Sequence, residues 1–310
     1  MIADYSTALV DGPWRHEFVA ANGARFHVAL AGPDPTERVG GEPAPLVVLL
    51  HDFPQLWWAW RHQIVALADA GYRVAAMDLR GTGASDKPPL GYDVPTRTRD
   101  VAGVVRSLGA DRATVVGNGF GGTVAWAMAA MQPAVTAAVA AFAAPHPAHL
   151  HTSRNAPYTR AFHRRLASAQ APFAPERGLV DGRLVDSWLQ GGAHVPFDDD
   201  VLETYRTAAR IPFAAHCSVE ALRWWIRSVP RMDGRRFTTA VRRRLDQPAL
   251  LALGADDPYL RTDASTLDAA AFASHLRVEV VDDAGHYLPE EAPGAVSELL
   301  LDWLKGARRP

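Results

Sequence analysis

The chain has 310 residues, 48% of them hydrophobic and 21% charged, with a net charge of −2. That balance suits one sizeable apolar core carrying an inserted subdomain, and it gives no reason to expect a nucleic acid or an acidic membrane as partner. The single cysteine, Cys217, excludes an intramolecular disulfide; with no leader-like N-terminus and no run of about 18 apolar residues, the expected compartment is the cytoplasm.

In chain order, Arg15 to Ala20 and Ala24 to Ala31 read as a hairpin around Asn22-Gly23, a pair that tolerates positive φ. Pro45 to Leu50 is an unbroken apolar run, the pattern of a strand buried on both faces of a parallel sheet. The spacing then predicts a helix over Trp57–Ala70, a strand over Tyr72–Met77, a helix over Arg97–Leu108 and a strand over Ala113–Val116. An apolar helix, Thr123–Met131, and a strand near Val135–Ala141 continue this doubly wound α/β pattern.

From Pro145 to about Asp246 the alternation stops, and helical segments are punctuated by Pro, Gly and Asp. Alternation resumes with strands at Ala249–Leu253 and Val278–Val281 and an amphipathic helix around Ala295–Leu304. The expected organisation is a core of residues 1–144 and 247–310 with a helical lid over 145–246, set above the carboxyl ends of the strands, where open α/β sheets bind ligands. Arg235-Arg236 and Arg242-Arg243-Arg244 are read as solvated helix faces, and Asp198-Asp199-Asp200 as a loop or helix start.

Val115-Val116-Gly117-Asn118-Gly119-Phe120-Gly121-Gly122 has the small-x-nucleophile-x-small form of a strand turning sharply into a helix, a nucleophile elbow. Its central residue is Gly119, so the position that should attack substrate carries no side chain. The glycines could also pass for a dinucleotide loop, but their neighbours do not support one. His146, His149 and His151 lack an accompanying cysteine and a fourth ligand, so no metal and no cofactor are expected.

His51-Asp52-Phe53-Pro54, Trp57-Trp58-Ala59-Trp60-Arg61, Asp78-Leu79-Arg80-Gly81-Thr82-Gly83-Ala84-Ser85, the elbow, Asp257 and Gly285-His286 follow one another in an order that resembles the α/β-hydrolases of the epoxide hydrolase group. The likeness extends over nearly the whole chain, and it implies an α/β-hydrolase fold: a mostly parallel sheet flanked by helices, with an inserted helical lid. In that group an elbow aspartate attacks carbon, and a His-Asp pair activates water to hydrolyse the resulting ester.

The resemblance makes His286 the catalytic histidine, a residue able to take and return a proton near neutrality. Asp257 is its orienting acid, three residues after Gly254, with Asp256 as the rival. Phe53 and Phe120 are the backbone donors of an oxyanion hole. Asp52 stands where the family has glycine; it is either a positive-φ position that Asp tolerates or a carboxylate serving as base or ligand anchor. The first reading is preferred, since a negative charge opposes the work of an oxyanion hole. Trp225, in Leu222-Arg223-Trp224-Trp225-Ile226-Arg227, stands where a lid tyrosine is expected, and its indole is no acid. His51, Asp52, Trp57, Asn118, Tyr158, Tyr205, Trp224 and Trp225 are the candidate pocket residues.

Two functions follow as expectations. One is a hydrolase for a small apolar organic molecule, with water activated directly by His286 and Asp257 because Gly119 is vacant. The other is a nucleophile-less ligand-binding protein on the same fold. The expected partners are that small molecule, with neither nucleic acid nor membrane, and the expected state is a monomer or homodimer.

Overall fold

The structure, a computed structural model, describes residues 3–39, 42–149 and 157–307. Its framework is an eight-stranded sheet of β1 (Arg15–Ala21), β2 (Ala24–Ala31), β3 (Leu46–Leu50), β4 (Arg73–Met77), β5 (Ala113–Asn118), β6 (Thr136–Phe142), β7 (Leu245–Gly254) and β8 (Ala273–Val281). The strand order is β1-β2-β4-β3-β5-β6-β7-β8, antiparallel from β1 through β2 to β4 and parallel from β4 onward.

Sequence dictates much of this directly. All five residues of β3 and all five of β4 are buried, as a doubly covered parallel strand requires. The hairpin between β1 and β2 turns at Asn22 and Gly23, both at positive φ.

Helices α1 (Arg61–Asp69), α2 (Val94–Ser107) and α3 (Gly119–Met131) follow β3, β4 and β5. α2 begins three residues earlier than its apolar spacing predicts, because Asp93 caps it by accepting from the Thr96 N–H and Pro95 suits the first turn. α3 buries eleven of its residues between the sheet and its neighbours.

Between β6 and β7 the described residues form a short 3-10 turn, Pro147–His149, and six α-helices: α4 (Arg160–Ser168), α5 (Ala174–Val180), α6 (Arg183–Gly192), α7 (Asp199–Ala209), α8 (Ala214–Arg227) and α9 (Met232–Val241). Each packs an apolar stripe inward, for example Val185, Trp188 and Leu189 of α6. After β7 come α10 (Thr262–Phe272), and after β8 the short α11 (Leu288–Glu291) and then α12 (Pro293–Ala307), which packs on α1.

One buried carboxylate ties the helical insert to the core. Glu290 of α11 accepts from the Tyr205 hydroxyl of α7 at 2.7 Å and is bonded by Arg61 and Gln55. No helix among the described residues is long and apolar enough to cross a membrane.

Candidate active site

The site begins with strand register. β3 and β5 are parallel neighbours, with Leu50 paired to Gly117, so the chains leave the sheet edge side by side and the second residue beyond each pair is Asp52 on one strand and Gly119 on the other. The β5–α3 turn is tight: Gly119 sits at φ +49°, and a Cβ on Gly117 or Gly121 would strike the Gly121 carbonyl carbon at 2.2 Å or the Leu50 oxygen at 2.3 Å. The elbow is therefore intact as backbone, and only its side chain is missing.

The Asp52 carboxylate fills that space. A Cβ built on Gly119 would lie 2.2 Å from Asp52 Cγ and from Oδ1, and 2.3 Å from Oδ2. Phe120 donates its N–H, the elbow's own donor, to Asp52 Oδ1 at 2.7 Å, while Oδ2 lies 3.3 Å from His286 Nε2. Asp52 is absent from the residues at positive φ, so the preferred reading of it as a backbone accommodation is overturned. The expectation of a vacant nucleophile position is corrected with it, because the carboxylate arrives from the neighbouring strand end.

His286 is buried behind this carboxylate. Its Nδ1 lies 2.7 Å from Asp257 Oδ2, and Tyr259 N–H fixes the other Asp257 oxygen at 2.7 Å. Asp256 faces away and pairs with His194 at the surface. Asn118 donates to the His286 carbonyl at 3.2 Å, and His286 N–H donates to the Gly192 carbonyl of α6, which pins the histidine loop to both elbow and insert.

A carboxylate stands at each ring nitrogen, an arrangement that favours the doubly protonated, charged ring. Burial opposes that charge, but Asp257 and Asp52 outweigh it and raise the pKa to about 10.

His51 holds the loop in place. Its Nδ1 donates to the Asp52 carbonyl at 2.8 Å and its Nε2 accepts from Leu79 N–H at 3.1 Å. Burial depresses its pKa, which keeps the ring neutral and suits it to that acceptor role. Phe53 contributes its ring, edge-on to Trp188 at 4.9 Å, and its backbone N–H is in no described hydrogen bond. Phe120 meets Trp225 edge-on at 4.5 Å, and Trp225 in turn faces Tyr158 at 5.9 Å. Tyr158 is buried, and burial pushes its pKa upward, so its hydroxyl stays protonated.

Three candidate pocket residues lie elsewhere. Trp57 is fully buried under β2, its indole donating to the Ala8 carbonyl at 2.8 Å. Tyr205 spends its hydroxyl on Glu290, and Trp224 packs on Phe237 inside the helical insert. Each large apolar side chain was needed as filling where its own helix met a neighbour.

A narrow cleft with a cavity volume of only about 20 Å³, room for a water or two, runs between the β3 loop, α2 and α8, with Asp52, Phe53, Phe120, Arg97, Ala221 and Leu222 in its walls. Of the candidate pocket residues only His51 and Asp52 line it; Asn118, Tyr158 and Trp225 stand near the elbow without lining it, and neither do Gly119 and His286. Arg97 escaped sequence reading although the signal was present, since it falls on the buried stripe of α2 with Val94, Thr98 and Val101. Tyr259, 5.0 Å from the His286 ring, was missed as well.

His194, Asp256 and Asp283 form the one cluster of metal-capable side chains among the described residues, and all three are exposed. His146 stacks on Phe272 at 4.7 Å, whereas His151 lies outside the described residues.

A sheet of this order, an elbow, and a histidine between an acid and the elbow define an α/β-hydrolase. The alpha/beta hydrolase fold family matches residues 45–293. Epoxide hydrolase A of Mycobacterium tuberculosis is 32% identical, with 93% of this chain aligned to 96% of that protein. The AB hydrolase superfamily protein YfhM of Bacillus subtilis is also 32% identical, over 93% of this chain and 97% of its own. The crystal structure of Epoxide Hydrolase A from Mycobacterium thermoresistibile superposes with a TM-score of 0.74 at 26% identity, covering 96% of this chain and all of that one (100%). The chain belongs to the α/β-hydrolase family, in its epoxide hydrolase group.

Proposed function

We propose that this protein is a hydrolase of the epoxide hydrolase type whose attacking carboxylate is Asp52, with His286 and Asp257 as the water-activating pair. The observation that carries the reading is the position of the Asp52 carboxylate: within 2.3 Å of where an elbow side chain would start, bonded to the elbow N–H, and facing His286.

The chemistry balances around one proton. Asp52 Oδ2 attacks an epoxide carbon, a C–O bond forms, and the ring C–O bond breaks to leave an alkoxide. Esterification removes the charge beside His286, which lowers the proton affinity of its ring, and the imidazolium proton passes to the alkoxide. The now neutral ring takes a proton from water, hydroxide attacks the ester carbonyl carbon, and the diol leaves with Asp52 again a carboxylate. Phe120 N–H already holds Oδ1, the oxygen on which charge develops in that second step.

Direct attack by water without an ester fits less well, because a resting imidazolium is no base. A binding-only role also fits less well, because the reacting set of carboxylate, imidazole and second carboxylate is complete.

The test is to trap the ester. In His286→Gln, a small epoxide should add its mass to the chain, and peptide mapping should place it on Asp52. Turnover surviving in Asp52→Asn, or an adduct on another residue, would overturn the reading.

A further inference from the structure

A second line of ionisable groups runs through β1, β2 and the residue after β4, and the chemistry proposed above uses none of it. His16 Nε2 lies 3.1 Å from the Val10 carbonyl oxygen, His16 Nδ1 lies 2.9 Å from His27 Nε2, and His27 Nδ1 lies 2.9 Å from Asp78 Oδ2. His27 and Asp78 are fully buried, and His16 is half-buried. The two ends of this line, a carbonyl and a carboxylate, only accept, and the contact between the rings needs a hydrogen of its own. Three N–H hydrogens satisfy it, whereas two neutral imidazoles carry two. With only two, one contact would set lone pair against lone pair in the core.

Asp78 supplies the matching charge. Its Oδ2 also accepts from Ala84 N–H at 2.9 Å and its Oδ1 from Trp57 N–H at 3.1 Å, so both oxygens act as acceptors. Burial opposes that charge, but the bond and charge of His27, with the Ala84 N–H, outweigh it and hold the carboxyl below its usual range. Burial and His27 lower the His16 pKa, which makes His16 the ring that stays neutral; Asp11 is the other acid acting on it besides Asp78. Lys87 spends its ammonium on the Gly83 and Ser85 carbonyls, each at 2.8 Å, and His51 has both nitrogens engaged. Asp78 also meets both ends of the loop that carries Asp52. Trp57, where that loop ends, gives it the N–H just described; the adjacent Leu79 N–H donates to His51, whose Nδ1 donates to the Asp52 carbonyl at 2.8 Å. A Cβ on Gly83 would lie 2.1 Å from Asp78 Oδ2, so the backbone closes directly over the carboxylate.

We propose that Asp78 is a positioning residue for the Asp52 loop, and that His16 and His27 share one proton beyond those of two neutral rings, which holds the Asp78 carboxylate in place. The value of that position to catalysis rests on the function proposed above, while the shared proton does not. Removal of the proton leaves one of the three contacts without a hydrogen and a buried carboxylate without its counter-charge, and the loop under Asp52 is then held less firmly.

Nitrogen-15 NMR of the whole chain at neutral pH counts the hydrogens, with His16→Gln and His27→Gln assigning the signals. The four ring nitrogens should show three bonded hydrogens and one bare nitrogen; any other count overturns the shared proton. The Phe120 amide, bonded to Asp52 Oδ1, reports the loop without any turnover. In Asp78→Asn its signal should move and its hydrogen exchange faster, and kcat on styrene oxide should fall roughly 10- to 100-fold with KM little changed, as for a displaced reacting group. An undisturbed Phe120 amide would overturn the positioning role. Should that variant fold poorly, His16→Leu carries the test from the half-buried end of the line. There the alkaline change of the Phe120 signal should begin about half to one pH unit lower than in the wild type, the size of one lost hydrogen bond. His16→Gln, which keeps an acceptor for His27 and a donor for Val10, should restore it; an unmoved midpoint in His16→Leu would overturn the proposal. Turnover surviving in Asp52→Asn with three hydrogens still counted would sink the proposed nucleophile and leave the shared proton standing.

Discussion

Asp52 and Gly119 share one space: the carboxylate of the first lies 2.2 Å from where a side chain on the second would begin. Asp52→Asn keeps the shape and removes the proposed nucleophile. We expect kcat/KM to fall by roughly 10⁴- to 10⁶-fold, as when a covalent nucleophile is deleted elsewhere. Single turnover of the wild type in ¹⁸O-water should also place label in Asp52 itself, because hydroxide attacks its carbonyl carbon. Unlabelled Asp52 would count against an ester.

Gly119→Asp should damage the site, although the same change would repair an empty elbow. The new Cβ meets Asp52 at contact distances no real side chain shows, and two carboxylates would compete for the Phe120 N–H. We expect a lower Tm and no gain in rate. The paired exchange, Asp52→Gly with Gly119→Asp, should fold better than Gly119→Asp alone and recover turnover, which a double-mutant cycle of melting and kinetics will show.

The charge on His286 sets a pH dependence. Its folded-state pKa, about 10, lies above the ordinary histidine value of 6.5. Its contribution to stability is therefore complete below about 6.5 and is lost as pH rises through about 10. Melting temperature should decline across that window, and the decline should shrink in Asp52→Asn and Asp257→Asn. An NMR titration placing His286 near neutrality in the wild type would contradict the two-carboxylate arrangement.

Much of the site is legible in the amino-acid sequence itself. The Gly-His turn, the acid after β7 and the glycine-rich elbow are local patterns, and the structure brings His286, Asp257 and Gly119 to one place. Asp52 stands out as a departure, but its role depends on the β3–β5 register, a long-range fact that no local pattern encodes. Trp57, Tyr205 and Trp224 mislead for a related reason: an aromatic residue looks the same in sequence whether it lines a pocket or fills a seam. Arg97 is hidden in a helix recognisable only by its apolar positions.

Arg97→Met should raise stability. It replaces an unpaired buried cation with an apolar side chain of similar length, and exchanges of this kind are often neutral or stabilising by about 1–4 kcal/mol. Thermal denaturation checks it, and a clear fall in Tm would mean that the guanidinium has partners in solution.

Tyr205→Phe removes the only bond from α7 to the buried Glu290 carboxylate among those described. Burial already pushes the Glu290 pKa up against the pull of Arg61, so the lost donor should be felt. We expect a cost of about 1–3 kcal/mol, together with faster proteolysis within residues 157–244 than in the sheet.

The side-by-side exit of β3 and β5 also restricts how such a protein can arise by successive substitutions. Two carboxylates cannot occupy the one space, so a lineage moving its reactive group from one strand end to the next either makes both changes together or passes through a form with neither. That intermediate would keep the sheet, the histidine pair and the insert, and would fold while doing no hydrolysis. Glycine at an elbow can thus be a waypoint as well as an endpoint, and a chain that lacks its expected nucleophile has to be judged by what stands across the adjoining strand.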